Sequence, residues 1–217
     1  MTYTTDGNER LLARVPTEAK TALDIGCGTG RLAKSLLPRG ITTDGITHNS
    51  EEQGYAKEFC EHVWVHNLEA GLPENSKSHY DLIFMSHVLE HIADPKELMK
   101  HVRERSSEST HVLCAIPNML FFRNRIKILL GRVEYQERGI MDYTHVRWYT
   151  RKTLQELFED AGYRIDFCGV TGGFPLGPIR RVLPLAVNNW LDKTLVGLMP
   201  GLFAWEFYWD FVISPEA

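Results

Sequence analysis

Apolar and polar positions change rhythm several times along the chain, and each change marks an element. Short apolar or β-branched runs that end at turn residues read as buried strands. They are "TALDIG" (21–26), "ITTDGIT" (41–47), "VWVHN" (63–67), "YDLIFMS" (80–86) and "THVLCAIP" (110–117). Between them lie helical spacings: "GRLAKSLLPRG", "EEQGYAKEFCEH" and "PKELMKHVRERS". Pro38-Arg39-Gly40 stops the first. Ser50, with Gln53 three residues on, predicts a capping box for the second. Asp94 and Pro95 supply the cap and first-turn proline of the third. Strands joined by helix-length crossovers predict an α/β, doubly wound parallel sheet with right-handed connections.

After Pro117 the rhythm breaks. A basic amphipathic segment, "MLFFRNRIKILLGR", leads to "GIMDYTHVRWYT" (139–150), too polar for a core strand and too aromatic for an idle loop. "TRKTLQELFEDAGY" is a helix capped by Thr150, and "RIDFCGV" a sixth strand. A Pro/Gly-rich apolar stretch (172–201) then reaches an alternating last strand. There Phe203, Trp205, Phe207, Trp209, Phe211 and Ile213 share one face; Ala204, Glu206, Tyr208, Asp210 and Val212 share the other. The apolar window Leu195 to Ile213 contains Pro200, Gly201, Glu206 and Asp210, which argues against a membrane span.

Composition narrows the class. At 217 residues, 43% hydrophobic and 24% charged, the chain suits one globular domain. A net charge of −4 argues against a dedicated nucleic-acid binder. Cys27, Cys60, Cys114 and Cys168 show no C-x-x-C spacing, which suits reduced thiols in a cytoplasmic protein. The first residues lack the basic and apolar regions of a secretory signal.

The first strand runs into "DIGCGTGR". A glycine loop there lets a ligand approach the backbone, with amide groups offered to an anion. The dinucleotide fingerprint G-x-G-x-x-G/A fails, because its third position falls on Arg31. Gly26, Gly28 and Gly30 in "LDIGCGTG" instead resemble motif I of class I S-adenosylmethionine (SAM)-dependent methyltransferases. "YDLIFMSHVLEHIADP" is similar to that superfamily's fourth strand and following turn, and "HNLEAGLP" to its adenine-contacting loop. These similarities cover roughly residues 10–118. They imply a Rossmann-like, mostly parallel seven-stranded sheet with an antiparallel last strand, and SAM as cofactor with S-adenosylhomocysteine as product. The cofactor-binding residues they imply are Asp24, Gly26, Cys27, Gly28, Gly30, Asn67, Leu68, Ser86 and His87.

One position departs. The superfamily usually ends its second strand on an acid that holds both ribose hydroxyls; here Thr47 stands in that place. Asp44 points elsewhere by strand alternation. A similar threonine, followed by a glutamine, occurs in the cyclopropane-synthase branch. His48 or Gln53 is a candidate for the missing contact.

Other chemistries compete. "HVLEH" matches an H-x-x-E-H metalloprotease string, but it follows a nucleotide-fold strand and reaches Asp94-Pro95 at once, so no metal is expected. The place where base-amine methyltransferases carry [DN]-P-P-[YF] reads "SHVL", which also disfavours nucleic acid. The basic segment 119–132 fits a membrane-surface helix, a cap over the active site, or a solvated face. The layout also resembles the methionine biosynthesis protein W, which leaves a non-catalytic or regulatory SAM-fold partner of a biosynthetic enzyme as the alternative function.

In this topology the acceptor lies over the carboxyl ends of strands four and five. A helical cap of about 118–150, inserted in a single domain 1–217, is placed to roof it. The 139–150 stretch offers His145 or Asp142 as base, with His91 in reserve, Arg147 for an anionic group, and Tyr143, Trp148 and Tyr149 as a stacking wall. The competing expectation is that Asp142 and His145 only brace a turn while Arg147 pairs with Glu156 or Glu159. The stretch resembles the "LDxTHxRFFT"-like segment of small bacterial surface-polysaccharide and secondary-metabolite methyltransferases. That resemblance implies a small-molecule acceptor, a sugar or related hydroxyl. Peripheral membrane contact and a homodimer both stay open.

Overall fold

In the computed structural model, residues 9–137, 139–173 and 177–215 are described. In chain order the elements are α1 (Glu9–Leu12), β1 (Thr21–Ile25), α2 (Arg31–Leu36), β2 (Thr42–Thr47), α3 (Ser50–Ala56), β3 (Val63–Val65) and β4 (Tyr80–Ser86). Then come α4 (Pro95–Glu104), β5 (Ser106–Pro117), α5 (Phe122–Leu129), α6 (Arg151–Asp160), β6 (Tyr163–Gly172), α7 (Leu185–Leu198), α8 (Pro200–Phe203) and β7 (Ala204–Ile213).

The strands form one sheet in the order β3-β2-β1-β4-β5-β7-β6. The pairs among β1 to β5 are parallel, and β7 runs antiparallel to both neighbours. This is the expected Rossmann-like sheet. Period-two alternation sends successive residues to opposite layers. Leu23, Ile25, Ile83, Met85, Val112 and Cys114 face one core with Leu98 and Met99 of α4 and Leu154 and Phe158 of α6. Ala22, Leu82, Phe84, Leu113 and Ala115 face the other with α1 and α2.

Several local expectations change. Asn49, not Ser50, caps α3: its Oδ1 accepts the Glu51 amide at 2.8 Å. β5 starts at Ser106, four residues early, because Ser107 and Thr110 bond each other and close the edge into the strand. The stretch 172–201 holds α7, whose helical spacing the glycines and prolines obscured. Among the described residues of the 118–150 insertion only α5 is helical; the others lie in turns, bends and irregular chain, with a bridge between Gln136 and Asp142. On β7, Trp205 is 44% exposed while Asp210 is buried beside His111, its Oδ1 2.8 Å from His111 Nδ1. No described helix is long and apolar enough to cross a membrane.

Candidate active site

The loop after β1 is built from three glycines with φ between 51° and 80°, a region that costs other residues about 1 kcal/mol or more. The glycines do different work. A Cβ on Gly26 would meet Val88 Cγ2 at 2.6 Å, and one on Gly30 would meet Ala56 Cα at 2.9 Å. Both allow neighbouring segments to pack. A Cβ on Gly28 would meet nothing within 4 Å. Open space over exposed backbone is what a ligand lying on this loop requires. The Gly26 and Cys27 amides both donate to Ile46 O at 2.9 Å, fixing the loop to the end of β2.

Asp24, on β1 just before the loop, is buried at 4% exposure, and burial raises its carboxyl pKa to about 7. An ammonium group laid beside it would favour the ionised form. Cys27 offers no side chain to this space. Its thiol packs against Gly45 and Cys60, and burial raises its pKa beyond the physiological range.

At the end of β2, Thr47 is buried and its hydroxyl donates to Glu52 Oε2 at 2.7 Å. Glu52 lies in the first turn of α3 and is itself buried. The acid missing from the strand is therefore present in space, five residues later. The signal was an acid in the first turn of the helix following β2. Gln53 is turned away, its amide donating to Val63 O at 2.7 Å. His48 is exposed. Asp44 is buried and engaged by Tyr80 Oη at 2.9 Å, Lys77 Nζ at 3.0 Å and His62 Nδ1 at 3.0 Å. Asn67 caps the turn Leu68–Ala70 by accepting from the Glu69 amide, and Leu68 packs on the core.

β4 ends at Ser86, and His87 then takes φ 56°, alone in this region among the described non-glycine residues. "HVLEH" is not a helix face: residues 89–91 form a single 3-10 turn. His87 stands between two acids, with Nε2 2.9 Å from Glu206 Oε1 and Nδ1 3.3 Å from Glu90 Oε1. Burial pulls the imidazolium down, but the hydrogen bonds and charges of Glu206 and Glu90 outweigh it and raise the pKa to about 10. About 40% of the side chain remains open to solvent, which screens the pairing. Glu90 is 1% exposed and its Oε2 has no partner among the described residues.

The 139–150 segment is stitched to this turn. The amides of Val146 and Arg147 both donate to Glu90 O, at 2.9 and 3.1 Å. Asp142 is buried and accepts from the Thr144 amide at 2.8 Å and the Thr144 hydroxyl at 2.7 Å. It braces the turn; burial opposes its charge, and the Thr144 hydrogen bonds bring its pKa below the usual range. His91 Nδ1 lies 3.2 Å from Thr144 O, and His145 Nδ1 lies 3.1 Å from Ile140 O. Carbonyls only accept, so both rings carry their proton on Nδ1 and keep Nε2 as the basic nitrogen. Burial lowers the His145 pKa below 6.5.

Arg147 pairs with neither Glu156 nor Glu159: its guanidinium donates to Ala93 O, Nε at 2.8 Å. Arg147 and Trp148 line a cavity of about 580 Å³ against α4 and α6, none of whose lining residues comes from the glycine loop. Tyr143 is 65% exposed, and Tyr149 is buried with its hydroxyl toward Leu89 O. Of the segment's candidates, the structure brings together His145 and His91 beside Glu90. These three offer ligand-type atoms within 4.8 Å of one another, enough to hold a cation or to pass a proton.

The sequence profile described as Methyltransferase domain matches residues 3–166, about three-quarters of the chain. The chain belongs to this methyltransferase family. It is 29% identical over 105 residues to the ubiquinone biosynthesis O-methyltransferase of Acinetobacter baylyi, covering 46% of this chain and 44% of that protein. It is 26% identical over 162 residues to the protein of that name from Photorhabdus laumondii, covering 63% of each. The match thus spans about half to two-thirds of these relatives' length. Among solved structures, a SAM-dependent methyltransferase from Archaeoglobus fulgidus superposes with a TM-score of 0.61 at 21% identity, covering 95% of this chain and 92% of that one. An O-methyltransferase from a Brevibacillus brevis multienzyme, in complex with S-adenosyl-L-homocysteine, gives 0.61 at 18%, covering 95% and 71%. The chain thus contains a methyltransferase domain with the fold of these SAM-dependent enzymes, and the open backbone at Gly28 and the buried Asp24 fit SAM as a cofactor.

Proposed function

We propose that the protein methylates a hydroxyl of a small molecule, with His145 taking the hydroxyl proton. The cofactor supplies an electrophilic methyl group on a sulfonium. Asp24 and the backbone at Gly28 hold the amino-acid end of the cofactor, and the Thr47–Glu52 pair holds its ribose, Glu52 replacing the strand-end acid. His48, Asn67, Leu68, Ser86 and His87 border the same edge of the sheet. The segment around 118–150 covers the acceptor, within a single domain.

One observation carries the choice of a hydroxyl. His145 is half-buried, its Nδ1 is occupied by Ile140 O, and its pKa is lowered, which leaves a neutral acceptor nitrogen at neutral pH. An alcohol must lose a proton as it is methylated, and a neutral imidazole beside Glu90 receives it. His91, wired through Thr144 to Asp142, holds the neighbouring ring in place. Arg147 and Trp148 instead line the cavity against α4 and α6, which takes no residue from the glycine loop. A sugar or related alcohol is the first acceptor class. A phenolic hydroxyl is the second, favoured by the relatives named as ubiquinone biosynthesis O-methyltransferases.

A screen of nucleotide-sugars, polyols and phenols with labelled SAM tests this. Label transfer to an oxygen, dependent on His145, is expected. Transfer only to nitrogen or carbon acceptors would sink the hydroxyl reading.

A further inference from the structure

Helix α5 is amphipathic the wrong way round for a helix packed on a core. Of its eight residues only Asn124 is buried. At about 100° per residue, Ile126, Leu129 and the following Leu130 share one arc roughly opposite Asn124. They are 51%, 85% and 62% exposed, and Val133 and Tyr135, just beyond the helix, are 53% and 60% exposed. The polar residue is inside and the apolar ones face out, which inverts the usual pattern. α7 repeats this in part: Asn188 is buried while Leu185, Trp190 and Leu198 are 75%, 63% and 75% exposed. Arg125 donates to Gly201 O at 3.0 Å, tying α5 to α8, which directly follows α7.

Charge says what covers this face. The segment 119–132 carries Arg123, Arg125, Lys127 and Arg132 and no acid; Glu134 and Glu137 follow it. On the helical wheel Arg125 flanks the apolar arc on one side and Arg123 and Lys127 on the other. Cations on both borders of an outward apolar stripe are how a helix lies in a membrane interface, with stems along the acyl boundary and charges at phosphate level. A second copy fits badly, because an isologous contact through α5 would set its cations against the same cations.

The location matters as much as the chemistry. β5 ends at Pro117, which pairs with Glu206 near the start of β7. α5 leaves from that end of β5, and α7 and α8 return to it. The face therefore sits at the carboxyl edge of the parallel strands, the edge that also carries the glycine loop, His87 and Glu90.

We infer that the α5–α7 face docks the protein on a bilayer surface with anionic headgroups. Docking turns the acceptor side of the site toward the membrane, so the acceptor hydroxyl belongs to an amphiphile held there. That last step rests on the methyl-transfer reading; the docking itself does not.

Flotation with vesicles tests it, using phosphatidylcholine alone and phosphatidylcholine with phosphatidylglycerol. The full chain is expected to float with the anionic vesicles, and less so at high salt. Leu129→Glu and Trp190→Glu alter exposed positions and should abolish flotation. Lys127→Glu should lower partitioning about tenfold, since each basic group near the surface contributes several-fold. SAM affinity, read by calorimetry, should be unchanged in all three, so a lost cofactor site and a lost lipid site are told apart. Failure of the wild-type chain to float, or equal flotation of Leu129→Glu, overturns the inference. So does a wild-type dimer on light scattering that Leu129→Glu converts to monomer without any effect on vesicles.

Discussion

The imidazole rings of His91 and His145 meet edge to face with their centroids 4.7 Å apart, although 54 positions separate them in the chain. The Glu90 carbonyl creates this meeting by accepting both the Val146 and Arg147 amides. Replacing His145 with Ala leaves that backbone clamp intact. A positioned base contributes about 10²–10⁴-fold, so turnover should fall by that order while SAM affinity holds. Higher pH should recover part of the loss. Full turnover in His145→Ala on the true acceptor would make the ring structural.

The His145 pKa is lowered, chiefly by burial, so its neutral and active form persists below pH 6.5. The rate on the true acceptor should stay level through neutral pH and decline only in the acid range, below an ordinary histidine's midpoint. A midpoint clearly above 6.5 would assign the proton to another group.

Gly28 and Gly45 separate ligand space from packing space. Gly28→Val places its side chain in open space, so the protein should fold, with strain on the order of 1 kcal/mol from the positive φ, and lose SAM binding. Gly45→Val drives a Cβ to 2.7 Å from Cys27 Sγ and should lower the melting temperature. Calorimetry beside thermal unfolding reads both; unchanged SAM affinity in Gly28→Val would remove the loop from the cofactor site.

Thr47→Val removes one hydroxyl and should weaken SAM binding by about 1 kcal/mol. Glu52→Gln should cost more, because an anionic acceptor is lost. Asp44→Ala should leave affinity alone and reduce stability, since it strips Tyr80, Lys77 and His62 of their shared partner. A larger affinity loss in Asp44→Ala than in Glu52→Gln would reverse the assignment.

His87 already stands as a cation against Glu90, which weakens that carboxylate's pull on a metal ion. Turnover is therefore expected to survive chelators, and the purified protein to carry no stoichiometric metal. Zinc measured at one per chain and lost in His91→Ala would show the opposite. The raised His87 pKa has its own consequence: its stabilisation is complete below pH 6.5 and is lost as pH climbs toward about 10. The melting temperature should drop over that window, less so in His87→Asn.

The resemblance of the glycine loop to motif I implied the cofactor class; the sequence alone determined the sheet and the loop. Each rests on short-range signals: runs of apolar residues, turn glycines and crossover lengths that local sterics and burial translate directly into structure. The same local signals misplaced the cap of α3, because Asn49 and Ser50 are both good caps and only backbone geometry chooses between them. They also missed α7, whose apolar outer face has no core-facing period to read. What tertiary structure decided lies between distant segments. It put Glu52 beneath Thr47, supplying an acid that the strand end lacks. It turned Arg147 to the Ala93 carbonyl and Asp142 into a brace, leaving His145 next to His91 and Glu90. Strand and helix periods report which way a side chain leaves its own element; only the packed chain determines which side chain from elsewhere it meets.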